Sequence, residues 1–439
     1  MGATDPVVPL PPAPDTLEQS GLNIDLVIQL VLKTLHLSGT MTGLDLAGRL
    51  GVRFAVLEPA LDQIKWQHHI EIVGGSMLGA AAYKYRITDA GRERAVLFLE
   101  ANHYVGAAPV PLAQYQAYMR EFQRRAVSHV TPRRVREAFA HLVLSDRVLD
   151  ALGPAIRAGR SMFVYGPPGN GKTVISQAIG GLLDGSIAIP QAVEIEGAIV
   201  RVFDPVNHAA LARPEPEGDT GLTERQGFDR RWVPCSRPCV MAGGELTLDL
   251  LELSYNPTTG FYRAPVQALA NGGVLVIDDF GRQRCAPRDL LNRWIVPLES
   301  GVDFLTLQTG LKFEIPFATL VVFATNIKPA ELVDEAFLRR IQYKIFAESP
   351  TEREFLAIFE NYCRAAGISC DPAVVGSMLA GYFKPRRIAL RGCQPRDLVN
   401  QALAMADYME RPRQLTVELL AAACETYFVD DREVPATFA

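Results

Sequence analysis

The sequence predicts an α/β protein, a parallel sheet held between layers of helices (αβα), and three stretches predict it. Ser161–Tyr165 is a short apolar strand that runs straight into the glycine-rich segment Gly166–Thr173 and then a helical run from Val174 to Leu183. Val274–Ile277, apolar and rich in β-branching, ends in Asp278-Asp279, and Thr319–Ala324 ends in Thr325-Asn326. Uninterrupted apolar strands are buried on both faces, and strands alternating with helices lie parallel.

Composition sets the bounds. The chain has 439 residues, 48% hydrophobic and 21% charged, as an ordinary globular protein has. That length allows about two to four domains and a core that needs no disulfide or structural metal. The formal net charge of −5 provides no global basic field for nucleic acid. The seven cysteines (235, 239, 285, 363, 370, 393 and 424) are scattered, as reduced thiols in a cytosolic protein are. Cys235 and Cys239 lack the second pair that a zinc site needs. The first residues carry no basic and apolar leader. No run approaches the roughly 20 apolar residues of a membrane span. A cytoplasmic location is expected.

Taken in chain order, residues 1–20 contain five prolines and few large apolar groups, the composition of a disordered tail. Residues 21–105 predict a compact unit. It has helices near Ile24–Leu37, Met41–Ala47 and Phe54–Gln67, then strands at Ile70–Val73 and Tyr83–Ile87, and a helix capped by Thr88. Three helices followed by a two-stranded ribbon is the winged-helix order, and "YRITDAGRERA" resembles the wing-to-helix segment of many winged-helix proteins. Gly21 to Glu100 holds eight Lys/Arg and eight Asp/Glu. A helix that meets phosphates normally carries excess positive charge, so docking to a protein is favoured over DNA. Residues 106–130 read as a proline-containing linker and a helix, and the arginines between Arg120 and Arg136 as a solvated helix face. The core is placed at 131–349 and a helical lid at 350–435.

The run Gly166-Pro167-Pro168-Gly169-Asn170-Gly171-Lys172-Thr173 is G-x-x-x-x-G-K-[ST] in the strand–loop–helix context it requires, with Val174 next in the helix. Its glycines let backbone N–H groups converge on phosphates, and the helix N-terminus adds partial positive charge there. Lys172 is placed for the β- and γ-phosphates and Thr173 for Mg²⁺. Asp278 supplies the metal's second anchor, and Asp279 can orient or deprotonate the attacking water. ATP and Mg²⁺ are the implied ligands. Asn326, at a strand tip, is either a second water-positioning group or a turn residue.

These elements in this order resemble an AAA+ ATPase from about Thr131 to Phe428. The resemblance makes Gly166–Thr173 Walker A and Asp278-Asp279 Walker B, and puts Asn326 at sensor 1. "DEAFLRRI", 334–341, falls where the family carries its arginine finger, with Arg340 the better match and Arg339 the second. "GCQPRDL", 392–398, falls at sensor 2, with Arg396. It implies a sheet order of 5-1-4-3-2, ATP hydrolysis and a ring of copies, a hexamer first, that remodels a protein partner chosen by the N-terminal domain. A DNA-associated regulator or loader and a slowly hydrolysing scaffold are the alternatives. The hairpin pattern of Phe304–Ile315 resembles the MoxR-type and sigma-54-activator-type branches. Two features depart from the pattern. Asp279 stands where the family usually has Glu, and about a hundred residues separate Thr173 from Asp278. Glu194–Tyr262 is therefore expected to hold strand 2 plus an insertion. Tyr255, Phe261 and Tyr262 within it are more often core residues than pore-lining ones.

Overall fold

The computed structural model describes residues 5–75, 79–126, 130–212, 227–332 and 335–428. The chain divides into two compact units. One comprises Met1–His129, Leu183–Ile277 and Arg282–Val321, the other Val130–Leu182, Asp278–Gly281 and Val322–Ala439.

Between residues 24 and 101 the first unit has four helices, three of them opened by side-chain caps. Helix α1 (Ile24–Ser38) is capped by the Asn23 side chain, α2 (Gly43–Leu50) by a reciprocal Thr42–Asp45 capping box, and α4 (Asp89–Ala101) by Thr88. Helix α3 (Phe54–Trp66) has no side-chain cap. Leu30, Val31 and Leu35 of α1 meet Val56, Leu57 and Ile64 of α3 in a core that excludes solvent. Met41–Thr42, Tyr83–Ile87 and Ile70–Gly75 add a three-stranded antiparallel sheet in that spatial order.

Residues 5–20 correct the expected disordered tail. Val7 and Val8 are buried, Val7 N–H donates to the Ser186 carbonyl, Asp229 N–H donates to Pro11, and Leu17–Ser20 is a short helix. The prolines suit this path. A chain that runs along existing structure with few ladder bonds does not miss their N–H groups. The expected linker is built in as well. Val110–Pro111 pairs with Ala192–Ile195, and the helix Leu112–Arg125 buries Tyr115, Tyr118, Met119 and Phe122. Its arginines lie on exposed faces in ion pairs, Arg120 with Glu314 and Arg124 and Arg125 with Glu121.

The long interval before Asp278 folds into this unit too. Its strands make a second sheet in the order Ser254–Asn256, Phe261–Arg263, Ala198–Arg201, Ala192–Ile195, Val110–Pro111. Residues 213–226 lie outside the described part. Tyr262 is buried and packs 4.9 Å from Tyr255, and Phe261 meets Tyr104 edge-on. Val302–Thr306 and Lys312–Pro316 form the hairpin, turning at Gly310.

Five strands carry the site: β1 (Met162–Tyr165), β2 (Cys239–Ala242), β3 (Val274–Ile277), β4 (Leu320–Thr325) and β5 (Tyr343–Phe346). They form one all-parallel sheet in the order β5-β1-β4-β3-β2. β1, β3 and β4 are almost wholly buried, which accounts for their unbroken apolar sequences. In the second unit, helix α5 (Lys172–Gly180) follows β1. Downstream lie α6 (Glu352–Ala365), opened by a Thr351–Glu354 capping box, and α7 (Gln394–Tyr408). Phe355, Phe359, Leu398 and Leu420 are the core of this helical part. Among the described residues no helix is long and apolar enough to cross a membrane.

Candidate nucleotide site

The site lies within the second unit, at the carboxyl ends of β1 and β4 and the segment after β3, where open parallel sheets place ligands. Phe163, Phe280 and Phe323 pack together in tilted and edge-on contacts, with ring centroids 5.1 to 6.0 Å apart. Gly166 N–H donates to Thr325 O (3.2 Å), and Phe280 N–H donates to Ala324 O (2.7 Å).

The loop after β1 needs its glycines. Gly166 has φ +148° and a Cβ there would stand 2.5 Å from the Ala347 carbonyl oxygen. Gly169 has φ +78° and a Cβ would stand 2.5 Å from the Cys393 sulfur. Pro167 and Pro168 lie between them, and Gly171, also at positive φ, is the N-cap of α5. Lys172 is buried, and its ammonium donates to the carbonyls of Gly166 (3.1 Å) and Pro167 (2.8 Å). Burial pulls its pKa down, and the Asp279 and Asp278 carboxylates work against that.

Thr173 and Asp278, 105 residues apart in sequence, meet. Thr173 Oγ1 donates to Asp278 Oδ2 at 2.8 Å. Asp278 Oδ1 accepts from the Asp279 N–H (3.0 Å). Asp279 is left-handed, at φ +48°, and its Oδ1 accepts from Asn326 Nδ2 (3.1 Å). A hydroxyl and a carboxylate side by side are hard oxygen donors of the type Mg²⁺ takes. No cluster of three or more His, Cys, Asp or Glu suited to a metal occurs among the described residues. An ion on Thr173 and Asp278 would have phosphate oxygens and water to complete its shell, as Mg²⁺ commonly does. The curled loop, the buried ammonium and this oxygen pair fit a magnesium nucleotide.

Beside the loop is a cleft of ≈ 360 Å³, lined on its apolar side by Leu142, Val143, Val174, Ile358 and Tyr362 and on its polar side by Arg396. Arg396 is ion-paired with Asp397 (2.8 Å). Arg339 is exposed and paired with Glu335 (3.1 Å), and Arg340 is half-buried in the turn after Glu335–Leu338. Neither lines the cleft. Residues 333 and 334, at the start of the finger motif, lie outside the described part.

Sequence reasoning missed two features. The apolar triplet Leu142–Leu144 forms one side of the cleft; its signal was an apolar run just before the Ser145 cap. The second is a hydrogen-bonded knot between the loop and the start of α7. Asn170 Nδ2 donates to Ala347 O and Ser349 Oγ (both 3.4 Å), and its Oδ1 accepts from Gly392 N–H (3.3 Å). Cys393 N–H donates to Gly169 O (2.8 Å), and Arg391 donates to Ser349 Oγ. Nothing local in the sequence marks Arg391 or the partners of Asn170.

Comparisons with known proteins follow this geometry. Residues 351–426, most of the C-terminal helical part, match a family model described as a domain of unknown function (DUF8689). No curated protein sequence matches the chain. Among solved structures, the chain is similar to the RuvB Holliday junction branch migration motor of Thermotoga maritima. Identity is 16%, covering 72% of this chain and 76% of that one, with a TM-score of 0.37. It is also similar to NtrX of Brucella abortus in complex with ATP, at 13% identity, 66% of this chain, 55% of that chain and a TM-score of 0.39.

Proposed function

We propose that the chain is an ATPase of the AAA+ type that hydrolyses ATP with Mg²⁺ and couples turnover to remodelling a protein partner. One observation carries the reading: the 2.8 Å contact between Thr173 of the phosphate loop and Asp278, which follows the buried strand β3. Loop N–H groups and Lys172 bind and orient the triphosphate. Mg²⁺ on Thr173 and Asp278 would neutralise charge on the phosphate oxygens. Asp279, held by Asn326, orients the attacking water and takes its proton as the bond to the γ-phosphorus forms and ADP leaves. The apolar side of the cleft suits the base, and Arg396 is assigned to the phosphate side of the lid. The strand order β5-β1-β4-β3-β2 and the helical region after Pro350 support the AAA+ reading. So does the hairpin before β4 for the MoxR-like branch.

The finer assignments belong to the same proposal. Arg340, with Arg339 second, serves the site of a neighbouring copy in a ring, a hexamer first. Residues 21–105 are a winged-helix-like domain that selects the partner, and their helix and strand order supports this. Their balanced charge favours protein over DNA. A salt titration of binding to random duplex separates the two, since a steep negative slope belongs only to the DNA reading.

The test is ATP turnover and nucleotide binding by the full chain and by Lys172→Ala. The variant should lose turnover by about 10²-fold or more, the scale of a lost transition-state charge contact. Turnover at the parent rate in Lys172→Ala removes the proposal.

A further inference from the structure

Arg396 borders the nucleotide cleft from the first turn of α7, and a chain of side chains fixes its position. Its Nε donates to Asp397 Oδ1 at 2.8 Å. The other carboxylate oxygen, Asp397 Oδ2, accepts from the Tyr427 hydroxyl at 3.2 Å. Tyr427 ends the helix Val417–Tyr427, whose Leu420 and Ala423 share a solvent-free core with Leu398 and Val399 of α7. Leu420, Ala423 and Tyr427 recur at helical spacing on one face, so the packing of the two helices delivers the hydroxyl to the carboxylate.

The chain continues to the phosphate loop. The Cys393 sulfur lies 3.7 Å from the Tyr427 oxygen. An ionised carboxylate only accepts, so the Tyr427 proton is committed to Asp397 and the thiol donates to the Tyr427 oxygen. Burial, then Cys393 and Asp397, push the Tyr427 phenol above its ordinary range, so it keeps that proton. The Cys393 N–H donates to the Gly169 carbonyl at 2.8 Å, and the Cys393 sulfur occupies the space that a side chain at Gly169 would take. At the far end, the two Nη groups of Arg396 have no partner among the described residues. A guanidinium held through Nε alone presents those Nη groups in one orientation.

We infer that Asp397 and Tyr427 are positioning residues for the nucleotide reaction. They aim Arg396 at the terminal phosphate, and Cys393 ties that aim to the phosphate loop. The inference rests on the proposed nucleotide site and on Arg396 serving its phosphate side. Asp397 also lies in the first turn of α7, where an acid favours the helix. The two roles differ in outcome: support of the helix matters equally to every nucleotide, whereas an aimed Arg396 matters to the terminal phosphate alone.

The experiment compares the affinity of the full chain for ADP and for a non-hydrolysable ATP analogue, both with Mg²⁺. The proteins are the parent, Asp397→Asn, Tyr427→Phe, Arg396→Ala, and Arg396→Ala combined with each of the first two. Arg396→Ala should weaken analogue binding about tenfold, as loss of a charge-assisted hydrogen bond does, with ADP affinity within about twofold of the parent. Asp397→Asn and Tyr427→Phe should show the same selective loss, about threefold to tenfold, and neither should weaken analogue binding further once Arg396 is gone. Equal loss for the two nucleotides, no loss in either variant, or an undiminished loss in the Arg396→Ala background each overturn the inference. Those results leave the nucleotide reading intact as long as the parent binds both ligands. That reading falls separately, on turnover at the parent rate in Lys172→Ala.

Discussion

Asp279 satisfies two demands at once. Its backbone is left-handed at φ +48°, and its carboxylate reaches back to the amide of Asn326. Among non-glycine residues, Asp and Asn tolerate that backbone best, because their short polar side chains bond locally. This is a physical reason for Asp where the resembling family usually has Glu: the turn after β3 favours the shorter acid. The same contact predicts a hierarchy. Asp279→Ala should lower single-turnover hydrolysis by about 10²-fold or more, the contribution of a positioned general base, with ATP affinity intact. Asn326→Ala, which removes only the positioning partner, should cost less. Rapid-quench assays with saturating enzyme measure both, and equal rates in Asp279→Ala and the parent would remove Asp279 from the reaction.

At the scale of an element, α1 shows how one helix carries a cost within a well-formed core. Lys33 is 1% exposed on this helix, and its ammonium donates to the Asn102 carbonyl at 3.0 Å. One neutral acceptor compensates burial only partly, so the pKa is pulled from 10.5 to about 8. Between those values the unfolded chain holds a proton that the folded chain has shed. Stability therefore rises with pH across about 8 to 10.5, and the penalty is fully present at neutral pH. The stability difference between the parent and Lys33→Met should shift toward the parent by up to about 3 kcal/mol over that window. Denaturant melts at several pH values check this, because groups common to both proteins cancel. A difference independent of pH would mean that Lys33 is not desolvated as its burial indicates. The elements also show what was readable in advance. Gly166–Thr173 is contiguous, and Asp278 and Asn326 stand at the tips of unbroken apolar strands, so local pattern sufficed for them. The Asn170 knot, the Leu142–Leu144 wall and the ordering of residues 5–20 arise from contacts between distant segments, which periodicity does not encode. Composition misled outright for residues 5–20, where two valines and a few backbone bonds outweigh five prolines.

At the scale of the whole molecule, the question is whether one chain holds a complete site. Thr173, Asp278, Asp279 and Asn326 converge, and Arg396 borders the cleft, but Arg339 and Arg340 do not line it. An arginine that neutralises a transferring phosphoryl group must touch it. If Arg340 has that role, it acts on another copy, and activity belongs to the assembly. Arg340→Ala should then bind ATP as the parent does yet lose turnover by about 10³-fold, the low end for an arginine finger. Lys172→Ala has the complementary defect, an intact arginine beside a disabled cradle. Mixed, the two inactive proteins should regain part of the parent's activity, because an Arg340→Ala cradle then faces an intact Arg340. The recovery should vanish on dilution as the assembly dissociates. Failure to recover activity at any mixing ratio, under conditions where sedimentation shows the two variants co-assembled, would confine the site to a single chain and leave Arg340 without a part in hydrolysis.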